Sequence, residues 1–330
     1  MDEREMRKAI VALGKELLDR ELVARTWGNI SCRLDGEKCL ITPSGLDYTK
    51  MKEDDIVLLD ISTGQWEGKR EPSSEKMVHM AVYNCFDDVR FVVHTHQKYA
   101  TALGMTGLES LDITEVEGER LAGVAIASYG LSGSGELRDA VTDALRGGAE
   151  TVLMMHHGAL VCGRTGEQAM ERAMVLEELC RRSIKGITGI GDYGIVSISG
   201  AAADRLKADF PAADVFRSAA VDTCISAGKD ILAQVDDMAQ MIGERIPAAE
   251  NIAEAAAALK DWPAVLIKDV GAAVRAESED DVEALKLLVD KACLCSIHTG
   301  ALGVKGELAA SDVAVMRCKY EGEYAGKKDG

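Results

Sequence analysis

The chain has 330 residues, 47% of them hydrophobic and 28% charged, and a formal net charge of −17. That length is enough for two domains and a substantial core, and the composition is that of a soluble globular protein. So acidic a chain lacks the clustered Lys and Arg that grip a nucleic-acid backbone, and any anionic substrate must be captured by a local site.

The opening MDEREMRKAIVALGKELLDR is charged throughout and has no apolar core segment, unlike a signal peptide. Met6, Ile10, Leu13 and Leu17 recur in it at helical spacing and predict an amphipathic helix. NISCRLDGEKCLITPSG and DDIVLLDISTGQ are short β-prone runs broken by Gly-containing turns, the pattern of hairpin strands. PSSEKMVHMAVYNCF predicts a helix with Ser73 as N-cap and Glu75 in its first turn. VRFVVHTH predicts a strand, GELRDAVTDAL a helix and ETVLMMHHGALVCG a strand pair. RTGEQAMERAMVLEELCRRSI predicts a long helix, opened by Thr165 and Gln168 at capping-box spacing.

The Gly-rich run 186–200 breaks the chain, and AAADRLKADF after it is expected to finish a first domain, 1–212. The second domain, 213–330, is Ala-rich and expected to be helical up to Lys260. It contains an internal echo, because residues 264–293 align without gaps on residues 151–180. Val152, Leu153, Gly158, Ala159, Val161 and Cys180 match Val265, Leu266, Gly271, Ala272, Val274 and Cys293. In the second copy Asp269 and Val270 replace His156 and His157, which predicts a degenerate partial repeat that kept the fold and lost the chemistry. No run reaches the roughly 18 apolar residues of a membrane span. The nine Cys are scattered without a C-x-x-C pair and read as reduced thiols, so a cytoplasmic protein is expected.

The candidate chemistry lies in the six His. His94 and His96 sit two apart on an extended run, so their side chains point the same way; His156 and His157 end a later strand. Two strands ending side by side would bring three imidazoles together, a frequent ligand set for catalytic zinc. The other reading is that each His is a satisfied polar residue at a strand end. EPSSE places two hydroxyls at a helix start, where free N–H groups and the helix dipole suit a phosphate, although an ordinary cap has the same composition.

In order, TWGNIS, ITPSG, PSSE, HTH and MHHGAL resemble the class II aldolase/adducin family, in nearly uninterrupted register over roughly residues 5 to 212. The resemblance implies an α/β fold with a mostly antiparallel central sheet flanked by helices, followed here by a smaller, degenerate aldolase-like domain. It implies zinc (or Mn2+, Co2+ or Fe2+) on His94, His96 and His157, with Glu75 completing the site and then acting as acid/base. It implies a phosphate pocket at Gly28, Asn29, Ser44, Gly45, Ser73 and Ser74, a phosphorylated sugar as substrate, and a homo-oligomer with interfacial active sites. The expected reaction is cleavage of a ketose 1-phosphate to dihydroxyacetone phosphate and an aldehyde through an enediolate. A ulose-phosphate epimerase or a methylthioribulose-phosphate-type dehydratase would use the same apparatus, and adducin-like members are non-catalytic scaffolds. One departure stands out. Where the sugar-phosphate aldolases carry a Tyr acid, LESLDITEVEGERL has none, leaving Glu115, Glu117 or Glu119, or else Tyr320 and Tyr324 of the tail.

Overall fold

Met6, Ile10, Leu13 and Leu17 fall on the buried face of α1 (Glu3–Asp19), which Asp2 and Glu5 cap reciprocally. The computed structural model describes residues 2–111, 115–116, 119–121, 123–191 and 193–324. They form two compact units, Met1–Arg181 and Arg182–Gly330.

The first unit continues with β1 (Asn29–Arg33), β2 (Lys38–Ile41), β3 (Val57–Asp60), β4 (Trp66–Glu67) and α2 (Lys76–Cys85). Then come β5 (Phe91–Thr95), α3 (Lys98–Leu103), β6 (Ser110–Leu111), β7 (Glu115–Val116), β8 (Glu119–Arg120) and β9 (Val124–Ala127). It closes with α4 (Gly135–Leu145), β10 (Thr151–Met154), β11 (Gly158–Gly163) and the part of α5 (Gly166–Thr188) up to Arg181. The nine-stranded sheet has the order β4-β3-β2-β1-β5-β11-β10-β9-β6. Its pairs are antiparallel except β9 with β10, where α4 makes the crossover a parallel pair requires. α2 and α4 cover one face over a core that includes Val82, Val92, Leu137, Val141, Val152 and Leu160. The expected α/β class with a mostly antiparallel sheet is therefore the observed one.

Two expectations need correction. α2 begins at Lys76, so Glu75 rather than Ser73 occupies the N-cap position, and its side chain makes no capping bond. The Ser73 hydroxyl instead accepts the N–H of Glu75 at 3.2 Å. The unit boundary falls at Arg181, not at residue 212, because Val196 and Ser197 pair with Arg217 and Phe216 and the helix Ala201–Asp209 packs on the core of the second sheet.

The second unit holds β12 (Val196–Ser197), α6 (Ala201–Asp209), β13 (Asp214–Arg217), α7 (Ala219–Ala227), β14 (Ile231–Leu232) and α8 (Asp236–Met241). β15 (Arg245–Ile246), β16 (Ala248–Ala249), α9 (Ile252–Ala258), β17 (Ala264–Ile267) and β18 (Gly271–Val274) follow, then α10 (Glu279–Leu302) and α11 (Ala310–Lys319). The stretch to Lys260 is thus helical only in part, since short strands interrupt it.

Its five-stranded sheet, β12-β13-β18-β17-β16, repeats the block β1-β5-β11-β10-β9 of the first, including the parallel pair at the end. The hairpin registers coincide: Thr151 faces Val161 and Met154 faces Gly158, as Ala264 faces Val274 and Ile267 faces Gly271. Each turn carries a left-handed non-glycine residue at the same place, His156 (φ 66°) and Asp269 (φ 60°). α6 and α9 pack on one face of this sheet as α2 and α4 do on the other. The segment corresponding to β2, β3 and β4 is missing, because β12 leads directly into α6.

Both copies also share one steric demand. A Cβ on Gly158 would lie 2.1 Å from the Thr95 carbonyl oxygen, and one on Gly271 2.4 Å from that of Phe216. Thr95 and Phe216 hold equivalent register positions, opposite Ala159 and Ala272. Either Gly→Ala change forces adjacent strands apart, with an expected loss of about 1–3 kcal/mol. Urea denaturation of Gly158→Ala and Gly271→Ala checks this, and a loss under about 0.5 kcal/mol in both would contradict the shared close approach.

Candidate metal centre

β5 lies between β1 and β11, so His94 is flanked by Asn29 on one side and Leu160 on the other. His96 follows two residues later, in the direction alternation requires. His157 comes from the three-residue turn joining β10 to β11, where its N–H donates to the Met154 carbonyl at 3.0 Å. The left-handed conformation of His156 sharpens this turn, and its ring meets Tyr129 edge-on at 5.3 Å. The rings of His94, His96 and His157 converge with centroids 4.7–4.9 Å apart.

Glu75 closes the group. Its Oε1 lies 2.8 Å from His157 Nε2 and its Oε2 3.1 Å from His94 Nε2. The four side chains offer ligand atoms all within 4.8 Å of one another, and every member but the half-buried His96 is buried. Ser132 donates its hydroxyl to Oε1 and Asn29 its amide to Oε2, each at 2.9 Å. Burial works to raise the Glu75 pKa, but His157 and then His94 overcome it and hold the carboxyl well below the usual range.

The donor set suits a divalent cation. His94 Nδ1 lies 2.9 Å from the Ala159 carbonyl, an acceptor, so that nitrogen carries the proton. In neutral His94 the Nε2 lone pair therefore faces Glu75 Oε2 and His157 Nε2, the latter at 3.1 Å. Lone pairs facing one another repel, and a cation among them removes the conflict. An imidazole oriented by a carbonyl behind it is the usual support of a metal ligand.

The candidate phosphate residues are laced together by backbone bonds. Thr42 and Ile30 exchange bonds, with the Thr42 N–H on the Ile30 carbonyl and the Ile30 N–H on the Thr42 hydroxyl. Ser73 N–H donates to the Thr42 carbonyl and Ser44 N–H to the Glu71 carbonyl, each at 3.0 Å. This sets the Ser44–Gly45 turn against the Ser73–Ser74 loop, with Asn29 beside Ile30. Gly28 has φ 73°, and a Cβ there would meet the His94 carbonyl oxygen at 2.5 Å. Of the alternative acids, Glu115 lies on β7 and Glu117 lies outside the described residues. Tyr320 and Tyr324 bound a helical turn after α11, in the second unit.

Sequence reasoning missed Ser132, whose loop SYGLSGSGEL reads only as a helix cap. It also left His79 without a role, although His79 stands one helical turn after Glu75. In the second unit the same registers put Val215 where His94 stands, opposite Ala273 as His94 is opposite Leu160. Arg217 and Val270 take the places of His96 and His157.

The family described as Class II Aldolase and Adducin N-terminal domain matches residues 8–184. A 5-methylthioribulose-1-phosphate/5-deoxyribulose-1-phosphate aldolase of Rhodospirillum rubrum is 33% identical over 180 residues, 54% of this chain and 79% of that protein. A 5-deoxy-D-ribulose 1-phosphate aldolase of Bacillus thuringiensis serovar kurstaki is 32% identical over 173 residues, 52% of this chain and 80% of that protein. Among solved structures, an L-fuculose 1-phosphate aldolase matches with a TM-score of 0.50 and 28% identity, covering 55% of this chain and 86% of that one.

Elemental analysis after loading with divalent metal is expected to give about one equivalent per chain, as a single three-His site would. His94→Ala and His157→Ala should lose most of it, and undiminished binding in either variant would remove that residue from the site.

Proposed function

The chain belongs to the class II aldolase and adducin family, and we propose that it is a zinc-dependent aldolase cleaving a ketose 1-phosphate to dihydroxyacetone phosphate and an aldehyde. The observation that carries this reading is the convergence of Glu75 with three imidazoles next to two hydroxyl-bearing loops suited to a phosphate. His94, His96, His157 and Glu75 would hold the ion, which supplies Lewis acidity towards the substrate's carbonyl and hydroxyl oxygens.

The chain's own residues do the rest. Ser44, Gly45, Ser73, Ser74 and Asn29 hold the phosphate, which anchors the substrate at a point remote from the reacting carbons. In cleavage, the C4 hydroxyl loses its proton and its oxygen becomes the aldehyde carbonyl. The electron pair of the C3–C4 bond passes to C3, which must then be protonated. In the synthetic direction the Glu75 carboxylate removes that proton from C3, and in cleavage it first takes up a proton from solvent and then delivers it to C3. Asn29 and Ser132 bond its two oxygens separately, so the carboxylate keeps hydrogen-bond partners as it turns towards substrate. We assign the C4 hydroxyl proton to Glu115 or Glu117. The second unit takes no catalytic part in this reading, since Val215, Arg217 and Val270 stand at its ligand positions.

The substrates named for the two curated relatives favour a pentulose 1-phosphate whose C5 is a methyl or thioether carbon. Incubation with 5-deoxyribulose 1-phosphate and other ketose 1-phosphates, followed by coupled reduction of the product at the expense of NADH, is expected to reveal dihydroxyacetone phosphate. Glu75→Gln should slow turnover by about 10²–10⁴-fold. A dehydrated or epimerised product without dihydroxyacetone phosphate would overturn the aldolase assignment in favour of those reactions.

A further inference from the structure

Behind Glu75 and Asn29 runs a buried file of polar side chains, His79, Ser31 and Tyr83, that the proposed chemistry leaves unused. Asn29 contacts Glu75 through Nδ2, and its Oδ1 meets His79 Nε2 in a short bond. His79 Nδ1 lies 2.7 Å from the Ser31 hydroxyl, which lies 2.7 Å from the Tyr83 hydroxyl. Ser31 and His79 are fully shielded from solvent, and Asn29 and Tyr83 nearly so.

The direction of every bond follows from one end. A carboxylate only accepts, so the NH2 of Asn29 faces Glu75 and its oxygen faces His79. That oxygen only accepts, so His79 carries its proton on Nε2. Burial, reinforced by His94 and opposed by Glu75, pushes the His79 pKa down to about 3, so the ring is neutral and Nδ1 is an acceptor. Ser31 must then donate to Nδ1, and its oxygen receives the Tyr83 proton. The file thus has a single polarity, Tyr83 to Ser31 to His79 to Asn29 to Glu75. With no link reversible on its own, the Asn29 amide cannot flip without leaving a buried group unpaired.

We propose that His79 is a positioning residue for Glu75: through Asn29, and held in one tautomer by Ser31 and Tyr83, it aims an amide donor at the carboxylate and fixes where that carboxylate can go. The inference rests on the aldolase reading above and extends it to a residue that touches neither metal nor substrate. Asn29 is also a phosphate-site candidate, so one amide orientation serves both the anchor and the acid/base.

The test compares His79→Phe, which fills the space without a donor, with His79→Gln, whose side-chain amide can donate where Nε2 does. Ser31→Ala provides a milder lesion should His79→Phe fail to fold. His79→Phe is expected to lower kcat about 10–100-fold, with a smaller rise in KM because Asn29 is one of five groups holding the phosphate, and to weaken zinc in chelator competition by about tenfold. His79→Gln should recover most of both losses, and Ser31→Ala should fall between His79→Phe and wild type. Equal losses in His79→Gln and His79→Phe, or wild-type zinc affinity and kcat in folded His79→Phe or Ser31→Ala, would overturn the proposal. Failure of the aldolase reading is distinguishable, because wild-type protein would then release no dihydroxyacetone phosphate.

Discussion

A backbone this close to its neighbour leaves no room for a side chain at residue 158. With Gly there, the first residue of β11 sits against the last carbonyl of β5, and His157 just before it swings onto His94. Everything else in the site depends on that approach. β5 supplies two imidazoles by alternation, the tight turn supplies the third, and β1 on the far side supplies the amide that restrains Glu75. The second unit keeps the same steric demand at Gly271, so the strand arrangement survives there without the ligands.

The second constraint is electrostatic. A carboxylate shielded to the degree of Glu75 is costly unless hydrogen-bonded and paired. Asn29 and Ser132 donate to its two oxygens, and the Nε2 atoms of His157 and His94 stand 2.8 and 3.1 Å from them, where a shared cation would reconcile the facing lone pairs. The metal-binding and proton-transferring role proposed for it would explain why such a group is kept inside. The net charge of −17 sharpens the point, since the surrounding protein offers an anion little attraction and the phosphate must be held by hydroxyls and amides placed locally.

Much of this was legible in the sequence, and the limits have physical causes. Alternation and helical spacing are local properties, so α1, α4 and the β10–β11 hairpin with its helix were readable, as was the repeat of that hairpin. The boundary was not, because Val196 and Ser197 become a strand only by pairing with β13, which no local pattern announces. Glu75 took the N-cap position expected of Ser73, which stays in the loop before the helix, because hydroxyls before a helix suit both a cap and a loop. Ser132 was invisible for the same reason. The role of His79 needed the identity of its neighbours, since a tautomer is decided by what lies on either side of the ring. The acid that would receive the C4 hydroxyl proton stays a proposal, with Glu117 outside the described residues.

The account stands or falls on where the metal goes. Crystals of the zinc-loaded protein, measured across the zinc absorption edge, are predicted to show one anomalous peak per chain, about 2.0–2.1 Å from a ring nitrogen of each of His94, His96 and His157. No peak should stand beside Val215, Arg217 and Val270. A peak in the second unit, or none on the three His, would contradict it.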